Sequence, residues 1–166
     1  MLCAITMNYS AEAIGIVRAA RRAAMPVAIS FTVETDGDLP TGQPLREAIH
    51  EVDGATAGYA SYYMLNCAHP THFADVLAAD EPWTARIRGL RANASRKSHA
   101  ELNEAAELDI GDSGELASSY AALRRGTLRH LNILGGCCGT DHRHVERIAV
   151  DCIPLMERHP DATRRP

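Results

Sequence analysis

No stretch of this sequence stays apolar for the roughly 18–20 positions that a membrane-crossing helix needs, so no membrane span is expected. No basic segment followed by an apolar one opens it, and no secretory signal is expected. An excess of positive charge is also missing. The 17 Lys and Arg stand against 21 Asp and Glu, a net charge of −4. No basic patch offers phosphate contacts, which argues against nucleic acid as a partner. There is no CxxC pair, no low-complexity segment and no linker. The cysteine count is five, an odd number with two adjacent. That is no secreted disulfide framework; it fits a cytoplasmic protein with reduced thiols. What remains is 46% hydrophobic and 23% charged, the profile of a globular domain rather than a disordered chain.

Short apolar runs alternate with amphipathic stretches. Strands are expected at Leu2–Met7, Val27–Val33, Tyr62–Leu65, Ile87–Ala94 and Leu131–Leu134. Ser10 is expected to cap a helix carrying Ala13, Ile14, Val17 and Ala20 on its apolar stripe. Pro44 suits the first turn of a helix over Leu45 to about Val52. A further helix is expected from His72 to Ala79. Ser98 with Glu101, and Asp112 with Glu115, have capping-box spacing, predicting helices near 98–106 and over Ser113–Arg125. A last helix runs from about Asp141 to Glu157, before a frayed tail over 161–166. Five β-α units in succession predict an α/β fold with a parallel sheet covered by helices.

In such folds the chemistry gathers at the carboxyl ends of the strands. Glu34, Asn66 with Cys67, Asn93, and Cys137 with Cys138 all fall there. Three thiolates from Cys67, Cys137 and Cys138 make a plausible zinc shell with one position open. Together they outweigh the 2+ charge, which suits a soft incoming thiol better than hydrolysis. Gly135, Gly136 and Gly139 would let the chain turn sharply and leave amide groups free for a carboxylate. Yet adjacent cysteines with a third 70 positions upstream are not a standard zinc spacing. Residues alone leave three roles open for these thiols: zinc ligands, small core residues, or a redox pair.

The segments AITMNYSAEAIG, PVAISFTVETDGDLPTG, YYMLNCAHPTHF, RIRGLRANAS and LNILGGCCGTDHRH together resemble the homocysteine S-methyltransferase family over nearly the whole chain. The resemblance implies a (β/α)8 TIM barrel, with Cys67, Cys137 and Cys138 as ligands of Zn2+. It implies methyl transfer from a small donor to homocysteine, forming methionine. The match corresponds to strands four to eight with their helices, so residues 1–160 are expected to form an incomplete homocysteine-binding barrel domain. A (β/α)8 barrel takes about 250 residues. Either the chain is a truncated or mis-started product, or a separate N-terminal half-barrel partner completes it. Members of the family carry a Glu at the end of the strand that here reads AITM; Ile5 or Thr6 stands there instead. Glu34 on the next strand is the candidate replacement, beside Asn66, Gly135 and Gly136 as substrate contacts.

The other chemistry-bearing residues have plainer expectations. Cys3 and Cys152 are expected in the core. His142 and His144 are expected on the surface, and His69, His72 and His99 as structural or exposed loop histidines. Tyr62 and Tyr63 pack on their strand, and Trp83 packs between elements. Arg86, Arg88 and Arg91 are expected along a solvated strand edge.

Overall fold

The computed structural model describes residues 1–77 and 81–156. Its elements are β1 (Leu2–Met7), α1 (Ser10–Arg22), β2 (Val27–Thr32), α2 (Leu45–Thr56), β3 (Tyr62–Asn66), β4 (Ile87–Ala92), α3 (His99–Glu104), α4 (Ser113–Arg125), β5 (Ile133–Gly136) and α5 (His142–Met156). The five strands form one parallel sheet in the order β1-β2-β3-β4-β5. Sequential parallel neighbours, each reached by a crossover, are consistent with part of a (β/α)8 barrel. The expected 161–166 tail and the end of the last helix at Glu157 lie outside the described residues.

Side chains alternate across each strand. Val27, Ile29, Phe31, Tyr63, Leu65 and Leu90 join a buried core with Val17 of α1, Ile49 and Val52 of α2, Leu116 and Tyr120 of α4, and Ile148 of α5. Ser30, Thr32, Met64 and Asn66 fall on the opposite face and are buried there as well. One face of the sheet therefore carries the apolar core, and the other carries the polar groups that lead up to the strand ends.

Several expectations need correction. Cys3 is exposed, because β1 has a strand neighbour on one side only and Cys3 points away from the helix-facing core. Ser10 does not cap α1: Tyr9 takes the N-cap position, and the Ser10 hydroxyl donates instead to Glu51 Oε2 on α2 at 2.6 Å. The helix expected at His72–Ala79 is absent as far as Leu77. Pro70–His72 form a 3-10 turn, tightened by His69 accepting from the Thr71 amide and by the His72 amide bonding back to the His69 carbonyl. Ala78 and Ala79 lie outside the described residues. The last strand runs two residues later than expected. Leu131 is buried in the preceding turn, and Gly135 and Gly136 pair with Arg91 and Ala92. Arg86 is no solvated edge residue. Its guanidinium holds both carboxylate oxygens of Asp53 at 2.9 Å, and the Tyr63 hydroxyl donates to the same carboxylate at 2.8 Å. This network sits at the start of β4, the end of the sheet away from the cysteines.

Candidate metal centre

Cys67 and Cys137 stand on the strands flanking β4, and both hang from β4. The Cys67 amide donates to the Arg91 carbonyl at 3.1 Å, and the Cys137 amide to the Ala92 carbonyl at 2.8 Å. Successive carbonyls of one strand thus set the two cysteines side by side. Their sulfurs approach to 2.8 Å, and the three sulfurs of Cys67, Cys137 and Cys138 all lie within 4.8 Å of one another. Around a tetrahedral ion with bonds of about 2.3 Å, ligand sulfurs stand about 3.8 Å apart. That spacing falls inside the observed range, so small rotations would seat a zinc ion. Among the described residues no other group of three His, Cys, Asp or Glu clusters in this way.

The backbone around these sulfurs is held in uncommon conformations. Cys67 has φ 56, the left-handed region that a non-glycine residue enters only when its surroundings impose it. Its carbonyl accepts two hydrogen bonds, from Asn93 Nδ2 at 2.9 Å and from His99 Nε2 at 2.5 Å. Asn93 also accepts the Cys138 amide on Oδ1 at 3.1 Å, and the Ala94 amide donates to the Cys138 carbonyl at 3.0 Å. One buried amide side chain therefore joins both cysteine loops. Gly139, with φ 76, makes the sharp turn after the pair, where an added Cβ would sit 3.2 Å from the Ala94 Cβ and against the Asp109 carbonyl. Of the three glycines expected to turn the chain, Gly139 makes the turn, while Gly135 and Gly136 lie in β5. The amides of Cys137 and Cys138 are taken by β4 and Asn93 rather than left open.

Electrostatics separate the two close thiols. The hydrogen bond between them, followed by burial, pushes the Cys67 thiol up, whereas the same bond brings Cys137 down to about 7. Of the two close thiols Cys137 is therefore the more acidic. His99 sits between two acceptors, Glu34 Oε1 at 3.0 Å from Nδ1 and the Cys67 carbonyl at Nε2. Burial disfavours its charge, but the bonds to Glu34 and to that carbonyl outweigh burial and raise its pKa. With an acceptor at each nitrogen, both nitrogens donate.

Glu34 is thus brought next to the cysteine loop through His99, as half-exposed as a rim group should be. Asn66 is adjacent in sequence to Cys67 but turned inward. Its Oδ1 accepts from the Ser30 hydroxyl at 2.5 Å and the Thr6 amide at 3.0 Å, and its Nδ2 donates to Thr6 Oγ1 at 3.1 Å. It locks the rim of three strands, including the left-handed Thr6 where β1 slips register. Gly135 and Gly136 lie within β5, directly before the cysteine pair. A cavity of about 240 Å³ opens against Cys67 and Cys138, walled by His99, Leu102, Asn103 and Leu108.

Three residues brace this site in ways the sequence did not reveal: Asn93, His99, expected only as a structural or exposed loop histidine, and Tyr120. Asn93 was legible only as a strand-end residue. His99 opens α3 immediately after the capping-box Ser98, a signal that fixes its place but not its partners. Tyr120, on α4, donates to the Gly135 carbonyl at 2.7 Å and accepts the Ala92 amide at 2.8 Å, bracing β5 from behind. Replacing Tyr120 with Phe leaves that buried amide unpaired. We expect a loss of about 1–3 kcal/mol, read as a melting temperature lower by roughly 3–10 °C. His144, expected on the surface, is buried, with Nε2 on the Ile110 carbonyl at 2.8 Å and Nδ1 on Asp141 at 3.0 Å. It anchors the loop over the cavity and takes no part in the sulfur cluster.

The chain matches the homocysteine S-methyltransferase family over residues 1–152. No curated protein sequence matches it significantly. Nine solved chains do. One is the homocysteine methyltransferase MmuM from Escherichia coli in its apo form. It superposes with a TM-score of 0.60 at 19% identity, covering 91% of this chain and 49% of that one. At that identity the likeness speaks for the fold, and the chain spans about half the length of that structure.

Proposed function

The chain belongs to the homocysteine S-methyltransferase family, and on that premise we propose that it transfers a methyl group from a small donor to the thiol of homocysteine, forming methionine. The observation that carries this is the meeting of Cys67, Cys137 and Cys138 at one strand-end rim beside a cavity. Cys67, Cys137 and Cys138 would hold a zinc ion, which would supply Lewis acidity toward an incoming thiol; an unaided thiol costs about 2 kcal/mol to ionise at neutral pH.

The chain's own residues do the rest. Cys137 is the more acidic of the two close thiols and so the readier of the pair to ligate. Glu34, with one oxygen on His99, offers the other to the substrate ammonium. Gly135 and Gly136 offer their backbone to the substrate directly before the cysteine pair, with Thr140 packed where a Gly136 side chain would be, and Asn66 holds the rim beneath them. Leu102 and Leu108 give the cavity an apolar wall beside the thiol's path. The homocysteine thiol releases its proton to solvent, its sulfur takes the methyl group from a sulfonium donor as the donor's carbon–sulfur bond breaks, and the donor leaves as a neutral thioether. In this proposal residues 1–160 correspond to strands four to eight of the family's barrel, and the protein works in the cytoplasm without nucleic acid or membrane partners.

A second possibility is a zinc-binding half-barrel module that acts with a separate N-terminal subunit. It is favoured by β1 and β5, each with one strand neighbour, and by exposed Leu2, Ile5, Val145 and Val150 along the two flanks. Incubating the zinc-loaded chain with homocysteine and S-methylmethionine or S-adenosylmethionine, alone and with a co-expressed N-terminal half, separates the two. Methionine from the chain alone supports the first. Methionine only with the added half supports the second. None in either arm, or no retained zinc, overturns methyl transfer.

A further inference from the structure

We infer that His99 is a positioning residue that sets a metal ligand and a substrate-receiving carboxylate with one ring. This deepens the function proposed above and rests on it. The ring stands between groups that come from far apart in the chain: Glu34 is 65 residues away and Cys67 is 32. Its Nδ1 donates to Glu34 Oε1 at 3.0 Å and its Nε2 donates to the Cys67 carbonyl at 2.5 Å, while the ring itself walls the cavity. The position of the ring is itself fixed. Ser98 and Glu101 close both halves of a capping box at the start of α3, and His99 is the first residue of that helix.

Each bond has a distinct task. Cys67 sits in the left-handed region, and a carbonyl held by two donors keeps its peptide from flipping back. The sulfur is thereby aimed at its partners. Glu34 lies on a half-exposed loop, where a free carboxylate would sample several rotamers. Bonding one oxygen to His99 fixes the carboxylate beside the cavity-lining ring and the Cys67 loop, with its second oxygen left for a substrate ammonium. A five-membered ring is the right tool, since its two nitrogens point in divergent directions at a fixed angle. A flexible amide side chain reproduces one of them at a time: Asn places its nitrogen near the Nδ1 position, and Gln near that of Nε2.

The two tasks separate in a three-variant experiment on the full chain. Cobalt(II) is the metal probe, read by its thiolate charge-transfer absorption and by competition with a chromophoric chelator. Homocysteine binding is read by the change in that absorption on titration, with no turnover required. His99→Gln is expected to keep cobalt affinity within threefold and weaken homocysteine about tenfold. His99→Asn is expected to weaken cobalt about 10–100-fold, the usual range for lost outer-shell support, while sparing homocysteine affinity in the loaded fraction. His99→Ala loses both. Should Gln and Asn shift both readouts alike, or should Ala lie within twofold of the native chain in both, the inference fails while the metal site stands. Should the native chain take up no cobalt, the proposed function falls and the inference with it. Cobalt uptake without any homocysteine response overturns the role given to Glu34.

Discussion

Replacing Cys137 with Ser is expected to empty the metal site. Zinc bound by small cysteine-rich sites is worth about 10–16 kcal/mol in total, so each of three or four ligands carries roughly 3–4 kcal/mol. Losing one lowers affinity roughly 10²–10³-fold, and a serine hydroxyl is a poor substitute for a soft thiolate. Cys137 is the thiol to choose. It stands at 2.8 Å from Cys67, its pKa already lies near neutrality, and its backbone is fixed by the Ala92 carbonyl. The expected result is a chain purified with one zinc per molecule when native and with almost none as C137S, by elemental analysis after dialysis. Full zinc content in C137S would show that the remaining ligands suffice and that the three sulfurs do not form one shell.

Asn66→Ala is expected to destabilise the chain by about 2–4 kcal/mol, lowering its melting temperature by roughly 5–15 °C. The side chain is buried and makes three hydrogen bonds, to Ser30, to the Thr6 amide and to Thr6 Oγ1. Removing it strands a buried hydroxyl and the amide of a left-handed residue together, and such networks fail as a unit. Asn66→Asp keeps the two acceptor bonds and inverts the third, so it should lose less. A differential scan of the three proteins without metal measures the structural part. Any further change in homocysteine affinity, normalised to metal content, measures direct contact with substrate. A melting temperature unchanged in Asn66→Ala would mean that the rim does not depend on this clamp.

The sequence carried most of the sheet because its signals there are local. Val27–Thr32 and Tyr62–Asn66 are continuous apolar runs bounded by polar turns, and both became central strands. Ser98 with Glu101 is a contiguous motif and formed the box it spells. The sulfur cluster was legible by a different route. Strand ends share a rim, and the GGCCGT segment resembles one family. What stayed hidden depends on partners distant in the chain. Cys3 looks like core until β1 proves to lack a second neighbour. His144 looks like a surface residue until Ile110, 34 positions earlier, brings its carbonyl. His99 and Asn93 carry no local mark of their work, since each acts by joining loops from different strands. The late start of β5 arose because Leu131 is apolar for the sake of the turn's burial, not for pairing.

Cys67 and Cys137 belong to strands separated by a third, so their backbones stand about two interstrand spacings, roughly 10 Å, apart. Their sulfurs meet at 2.8 Å because each residue, just past its strand end, hangs from β4 between them, Cys67 in the left-handed conformation. Tyr120 of α4 bonds to both β4 and β5 just before those ends, so a side chain behind the sheet bears on how the two cysteines are set against each other.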